Sequence, residues 1–319
     1  MCSCGGRLSF LCPDGGTMTD NRPDVSLLVP VYNRREITRA FLKNLEKVSY
    51  PSLEIVIVDD GSPDGTARMI EQEFPSVRLL RTPGDFWWSK CMNLGLRDVL
   101  LRNPKYVLTL NDDVSFDPDF VDHLVAHAQA HPRTLVGSMV FHYGDPGRTW
   151  YAGGKIGWVR GELLHRTSLD DGALNWLTGM GVLIPASVFL EAGLYDEEHF
   201  PQYVADAELS MRARRCGYSL AVEPASRIWN KTDESSHVID RRTVSVLTFF
   251  LPFRSIRSAY ELKMRLVLYR RYWPVWLRPI AIAAFVLRVV RKQTIRLILS
   301  VVRRMVGMYR TRGGGSGPR

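Results

Sequence analysis

Leu53-Glu54-Ile55-Val56-Ile57-Val58-Asp59-Asp60-Gly61-Ser62-Pro63-Asp64-Gly65 decides the fold. A short run of branched apolar residues ends abruptly in two aspartates and a cluster of turn formers. That reads as a buried strand leaving its sheet at a tight loop. The pattern recurs on both sides. Val25–Val31 (VSLLVPV) is a second apolar run and ends at Tyr32-Asn33; Tyr106–Leu110 (YVLTL) ends at Asn111-Asp112-Asp113; Val77–Arg81 is a shorter run. Between them, Glu36–Val48 carries Ile37, Ala40, Phe41, Leu45 and Val48 at helical spacing, and Thr66–Glu73, Lys90–Leu101 and Pro118–Ala130 also read as helices. Strands alternating with helices predict βαβ units, a parallel sheet and right-handed crossovers. Ligands of such sheets bind beyond the carboxyl ends of the strands, and both aspartate pairs fall there.

After Thr134 the pattern changes. Leu135–Phe141, Tyr151–Trp158 and Asn175–Ile184 read as strands separated by Gly-rich turns, Ala186–Ala192 and Val204–Cys216 as helices, and Tyr218–Val222 as a last strand. There is no internal repeat. Hydrophobic residues at 45% and charged residues at 24% suit a folded core. The net charge of +9 is unevenly spread: of 42 Lys and Arg and 33 Asp and Glu, residues 241–312 hold 17 of the former and, in Glu261, one of the latter. An acidic body with a basic C-terminal region points to a polyanionic surface. Arg288, Lys292, Arg296 and Arg303 recur on one helical stripe, with Val289, Ile295, Leu299 and Val302 opposite, the pattern of a basic amphipathic helix lying on an anionic membrane. Packing on the body and nucleic-acid binding are the competing readings; no nucleic-acid partner is expected, because aromatics and long aliphatics accompany the charges. No run reaches the ~20 apolar residues of a membrane span. Cys2, Cys4 and Cys12 lack the further ligands of a zinc site. With Cys91 and Cys216 they read as free thiols of a reducing compartment, and Met18 offers an alternative start.

Four clusters carry potential chemistry. Pro30, Tyr32 and Asp60 could meet a nucleobase, the ring by stacking and the carboxylate by accepting from an N–H, whereas turn-building is the competing role of Asp59 and Asp60. Asp112 and Asp113 repel one another unless a cation or hydrogen bonds compensate, and hard oxygens suit Mg²⁺ or Mn²⁺; an acidic loop leading into a helix cap is the alternative. Asp206 and Glu208 do not share a helix face, so one can act as a general base while the other pairs with Arg212. Trp176 and Gly179 suit a sugar-contacting loop, with core filling the alternative for Trp176; Phe86-Trp87-Trp88 is a second aromatic cluster with the same ambiguity.

Taken in order, PVYN from Pro30, VDDGSPDGT from Val58, LNDDV from Leu110, WLTGMG from Trp176 and ADAELSMR from Ala205 resemble the family 2 glycosyltransferases of the GT-A fold. The resemblance runs from about Val25 to Trp229. It implies an α/β, Rossmann-like, mostly parallel sheet with a smaller acceptor-side part and a C-terminal helical basic extension. It further implies that Pro30, Tyr32, Asp60 and Asp112 bind the nucleotide. Asp113 and Asp112 would hold Mg²⁺ or Mn²⁺, Asp206 would be the catalytic base, and Trp176 and Gly179 would meet the acceptor. Ala205 and Glu208 depart from the family's Glu-Asp-x-Asp pattern. Asn230, or His237 on a folded-back loop, falls near where many members place a metal-assisting histidine.

The aromatic cluster and the LNDDV form resemble enzymes of bacterial surface polysaccharide, including rhamnosyltransferases. The implied reaction is inverting transfer from a UDP- or dTDP-sugar to a hydroxyl of a glycan or lipid-linked acceptor, on the inner, cytoplasmic face of the cell membrane. The implied organisation is a disordered extension 1–24, a catalytic domain 25–240, a membrane-associating helical region 241–312 and a flexible tail 313–319. The rivals are a sugar nucleotidyltransferase, disfavoured because no Gly-rich, Lys-bearing phosphate loop follows the first strand, and a catalytically degenerate membrane-binding protein.

Overall fold

The structure, a computed structural model, describes residues 24–169, 172–231, 248–256 and 258–312. In chain order its first half contains β1 (Val25–Val31), α1 (Arg35–Leu45), β2 (Leu53–Asp59), α2 (Thr66–Glu73), β3 (Arg78–Arg81), α3 (Trp87–Leu100), β4 (Tyr106–Thr109), β5 (Val114–Phe116) and α4 (Phe120–Ala130). Then follow β6 (Thr134–His142), β7 (Asp145–Tyr151), β8 (Gly154–Gly157), β9 (Glu162–His165), β10 (Val182–Pro185), α5 (Ser187–Glu191), α6 (Ala205–Arg215) and β11 (Ser219–Asn230). Three helices close the described chain: α7 (Leu251–Arg254), α8 (Leu262–Tyr272) and α9 (Arg278–Arg312).

The main sheet runs β3-β2-β1-β4-β10-β6-β11-β5, with β7 added to β6. β3, β2, β1 and β4 are mutually parallel, and β10 enters antiparallel between β4 and β6. β1 sits inside this layer with every residue but Pro30 buried. That burial is why its sequence is a continuous apolar run rather than an alternating one. The topology is the expected α/β sheet with a mostly parallel half. The antiparallel entry of β10 has a functional consequence: Val182 pairs with Thr109, so the loop before β10 arrives at the carboxyl end of β4.

Several local expectations shift. The Asn175–Ile184 strand shrinks to β10, because residues 175–181 turn back over β4. Tyr151–Trp158 splits into the end of β7 and β8 at Gly153, which takes a φ of +103°. β11 extends past Val222 to Asn230 across a register shift between Glu223 and Arg227, where Pro224 cannot donate to the ladder. β5 lies in what reads from sequence as the acidic loop.

The basic region is helical, as expected, but it does not hang free of the body. Met264, Leu268, Tyr269, Trp273, Phe285 and Val289 join the same apolar core as the sheet. The Trp273 indole N–H donates to Trp158 O at 2.8 Å, and the Tyr269 hydroxyl donates to Gly161 O at 2.7 Å. The described C-terminal helices thus share the core of the sheet; residues 240 and 241 lie outside the described residues. The helical stripe is also turned: Arg288 pairs with Glu162 at 2.9 Å and Lys292 donates to the Tyr260 hydroxyl at 2.9 Å, while Ile295, Leu299 and Val302 are exposed. The expectations for residues 1–23 and 313–319 lie outside the described residues.

Candidate active site

The loops after β1 and β2 are laced together by the residues that make them turns. Asp60 N–H donates to Val31 O at 2.9 Å, Asn33 N–H to Ser62 Oγ at 2.8 Å, and Arg35 N–H to Asp64 Oδ2 at 2.9 Å. Asp59 folds back on Ser62 N–H at 3.2 Å, so the turn reading holds for Asp59; burial pushes its carboxyl above the ordinary range. Pro30 is partly covered at the end of β1, and Tyr32 stands 54% exposed on the rim. Asp60 is buried. Its carboxylate accepts from the N–H groups of Phe86 and Trp87, each at 3.1 Å, and from the Thr82 hydroxyl. It thereby fixes the start of α3, where Trp87 sits at φ +61°.

Asp112 and Asp113 follow β4 and are both buried. Arg34 Nη1 bridges them, 2.8 Å from Asp112 Oδ1 and 3.2 Å from Asp113 Oδ2. Thr38, one turn further along α1, donates to Asp112 Oδ2 at 2.9 Å. Even so, burial raises the Asp112 carboxyl above its ordinary range. Asp113 differs: its Oδ1 is buried with no hydrogen-bond partner. Asn230 pairs with Val114, the residue after Asp113, and its buried Oδ1 is likewise without a partner. Orphaned buried oxygens are costly, and hard oxygen donors fit a Mg²⁺ or Mn²⁺ ion. Among the described residues no three His, Cys, Asp or Glu gather as a metal-ligand group. His237 lies outside the described residues.

Asp206 lies in the first turn of α6, which opens at Ala205 directly after Val204, a β-branched residue at φ +69°. Such a conformation is a genuine outlier, and strain of this kind collects at functional sites. The Asp206 carboxylate accepts from Gly179 N–H at 2.7 Å and from its neighbour Ala207 N–H at 2.8 Å, with the Thr178 side chain also bonded. Burial outweighs these bonds and lifts its carboxyl above the usual aspartate range. A small cavity here is lined by Thr109, Leu177, Thr178, Gly179, Asp206 and Ser210. Gly181 N–H donates to Thr109 O at 2.9 Å, tying the 178–181 loop to the strand that carries Asp112 and Asp113. A Cβ on Gly179 would come within 3.1 Å of the Trp88 ring. Phe86 and Trp87, held by Asp60, thus lead directly to the Trp88 ring that packs beside Gly179.

Trp176 is a correction. It is 4% exposed, its indole N–H is spent on Lys155 O at 3.1 Å, and its ring packs on Tyr151 and His165. It props the loop from inside, the core-filling role; Trp88 is the aromatic side chain beside Gly179. Glu208 looks away from Asp206: it is buried against Arg212 at 3.0 Å, Arg271 at 3.2 Å and the Tyr272 hydroxyl at 2.7 Å. Sequence reasoning missed Arg34, Thr38 and Thr178. Arg34 and Thr38 carry an i, i+4 spacing that puts them on one side of α1, but nothing in the sequence ties that side to residue 112.

A sheet with a parallel half whose strand ends carry a bridged acid pair is the kind that binds ligands at its carboxyl edge. The chain belongs to glycosyl transferase family 2, whose sequence model matches residues 26–189. It is 25% identical over 240 residues to the N-acetylglucosaminyl-diphospho-decaprenol L-rhamnosyltransferase of Mycobacterium tuberculosis, a match covering 66% of this chain and 76% of that protein. It is 24% identical over 227 residues to the poly-beta-1,6-N-acetyl-D-glucosamine synthase of Staphylococcus aureus, covering 68% of this chain and 52% of that one. Among solved structures, a mannosyltransferase from Pyrobaculum calidifontis in complex with GDP-Man and Mn2+ aligns over 94% of this chain and 78% of its own at a TM-score of 0.56 and 17% identity. GalNAc-T7 with UDP, GalNAc and Mn2+ aligns over 66% of this chain and 44% of its own at 0.55 and 17%. The fold is the GT-A fold.

Proposed function

We propose that this glycosyltransferase is metal-dependent and inverting, taking a sugar from a UDP- or dTDP-sugar to a hydroxyl of a glycan or lipid-linked acceptor in surface-polysaccharide synthesis. One observation carries the reading: the antiparallel entry of β10 brings Gly179 and Asp206 to the strand end that bears Asp112 and Asp113. The base of the donor lies on the rim of β1 and β2, against Pro30 and Tyr32, with Asp60 ordering the wall. Asp113, with Asp112 and Asn230 beside it, would hold Mg²⁺ or Mn²⁺, which when bound supplies positive charge to the donor's diphosphate. Arg34 keeps the acid pair together before the donor arrives.

Asp206 takes the proton from the acceptor hydroxyl. The acceptor oxygen forms a bond to the anomeric carbon as the bond from that carbon to the diphosphate oxygen breaks, and the electron pair leaves with the nucleoside diphosphate. A single displacement inverts the anomeric centre. Gly179 has no side chain, so the acceptor can approach Asp206 beside Trp88. Rhamnosyl transfer is the specific variant we favour, given the relative in Mycobacterium. The enzyme works as a peripheral protein on the anionic inner face of the membrane; no described helix is long and apolar enough to cross one. The test is a donor panel with Mn²⁺ and Mg²⁺, reading release of nucleoside diphosphate. Metal-dependent release from a UDP- or dTDP-sugar is expected, and silence across the panel would overturn the reading.

A further inference from the structure

The direction in which α9 faces assigns a surface that its charge pattern alone conceals. Ala281, Phe285, Val289, Gln293 and Ser300 are buried, so they mark the side of α9 that meets the body. At 3.6 residues per turn, Ile280, Leu287, Ile298 and Val302 fall on the opposite side, and all four are exposed, Leu287 at 69%. Ahead of them, on the turn from Trp273 into α9, Trp276 is 73% exposed. The result is a largely apolar ridge along this side from residue 280 to 302, about 33 Å long at ~1.5 Å per residue, in which the exposed Arg291 and Thr294 separate Leu287 from Ile298. Large solvent-facing apolar surfaces of this kind are contact surfaces. Arg288 and Lys292, the residues a helical wheel would send to the membrane, are instead bonded to Glu162 of β9 and to Tyr260 in the turn before α8.

We infer that this ridge, led by Trp276, is the face that lies in the bilayer interface, with anionic lipid as its partner. The inference deepens the membrane-surface reading above and rests on it. Charge selects the occupant: residues 241–312 carry 17 Lys and Arg against one acid. Two copies meeting along this face would bring two such regions together and repel, whereas an anionic headgroup layer attracts one. An exposed tryptophan at the start of the ridge suits the headgroup depth. A helix lying flat buries its apolar side in the acyl boundary without crossing.

The test is co-sedimentation of the full chain with vesicles of phosphatidylcholine and phosphatidylglycerol, roughly 7:3, and with phosphatidylcholine alone. Wild type is expected to bind the anionic vesicles more tightly and to weaken with salt. Leu287→Asp with Ile298→Asp should lower partitioning at least about tenfold, since burying a single leucine is itself worth that much. Because both residues are exposed, thermal unfolding and donor hydrolysis in detergent-free buffer should match wild type, which keeps a folding failure apart from a binding failure. If wild type ignores both vesicles, the membrane reading itself fails. If wild type binds and the double variant binds equally, the ridge is the wrong face. If the double variant converts a dimer to a monomer by light scattering, a second copy covers the ridge and the inference is overturned.

Discussion

Asp206 is held where an ionised carboxylate is expensive. Burial lifts its carboxyl above the ordinary aspartate value of about 3.9, against the pull of the Gly179 and Ala207 N–H groups. A raised value makes a stronger base, and it works only when ionised. The acid limb of the kcat–pH profile is therefore expected above the ordinary aspartate range, with activity lost as pH falls through that raised value; a limb near 3.9 would remove Asp206 from the role. The stability sign is opposite. The folded state binds the proton more tightly than the unfolded one, so stability falls as pH rises from the unfolded to the folded value, and the cost is complete at neutral pH. Asp206→Asn should accordingly lower turnover by about 10²–10⁴-fold while leaving Tm unchanged or higher, with donor affinity by calorimetry close to wild type. Arg34 makes the reverse case. It is the cation between two buried carboxylates. Arg34→Ala should cost the metal-free protein about 2 kcal/mol, the low side of a broken buried pair because the guanidinium is partly exposed. Added Mn²⁺ should restore most of that loss, read by thermal unfolding with and without the ion. A Tm that neither falls nor responds to Mn²⁺ would exclude the counter-charge role.

At the scale of elements, the strand–helix alternation was legible because strands buried on both faces must be continuously apolar and must end in turn formers. The aspartates stood out for the same reason: they interrupt apolar runs at the end of a strand, where a parallel sheet binds its ligands. The loop before β10 was not legible. Its residues Asn175–Gly181 have strand-like neighbours, and long-range bonds, among them Leu177 N–H to Ser210, Thr178 N–H to Tyr151, Gly179 N–H to Asp206 and Gly181 N–H to Thr109, make it a loop. Trp176 could have faced either way, since an indole is at home in a core whenever a carbonyl meets its N–H. Gly95 shows how closely a helix is fitted to the sheet below it. A Cβ there would lie 2.2 Å from Leu28 Cδ1 and 3.1 Å from Val58 Cγ2, and Leu28 is fully buried. Gly95→Ala should therefore cost about 1–3 kcal/mol despite alanine's better helix propensity, seen as a lower urea midpoint with an unchanged m-value. A midpoint that rises would mean α3 shifts freely on β1.

Across the whole molecule, the helix that carries Asp206 also fastens the C-terminal region, and the two jobs fall on opposite sides of α6. No pattern in residues 241–312 could show which stripe of α9 meets the body, because the partner of Arg288, Glu162, lies in β9, far away in the chain. Glu208 could be read as half of an i, i+4 pair with Arg212, which it is. Its second set of partners, Arg271 and the Tyr272 hydroxyl, comes from α8. Arg271 in turn reaches Asp196 at 2.6 Å, and Arg215 lies over the Tyr272 ring, 4.3 Å from its centroid. This network pins α8 behind the proposed base. Glu208→Gln keeps the shape and removes the charge, leaving Arg212 and Arg271 partly uncompensated at a cost of about 3 kcal/mol. The amides of α8 should exchange faster with solvent, since the local opening energy falls by the same amount. Donor hydrolysis per folded molecule should change little, because the Asp206 carboxylate takes its bonds from Gly179 and Ala207 rather than from this network. Asp206→Asn and Glu208→Gln therefore separate: one loses turnover and keeps stability, the other loses stability and keeps turnover. If Glu208→Gln abolished turnover in a protein that remained folded, α6 would have to be treated as one catalytic unit coupled to the C-terminal helices, and the division of labour between its two sides would be refuted.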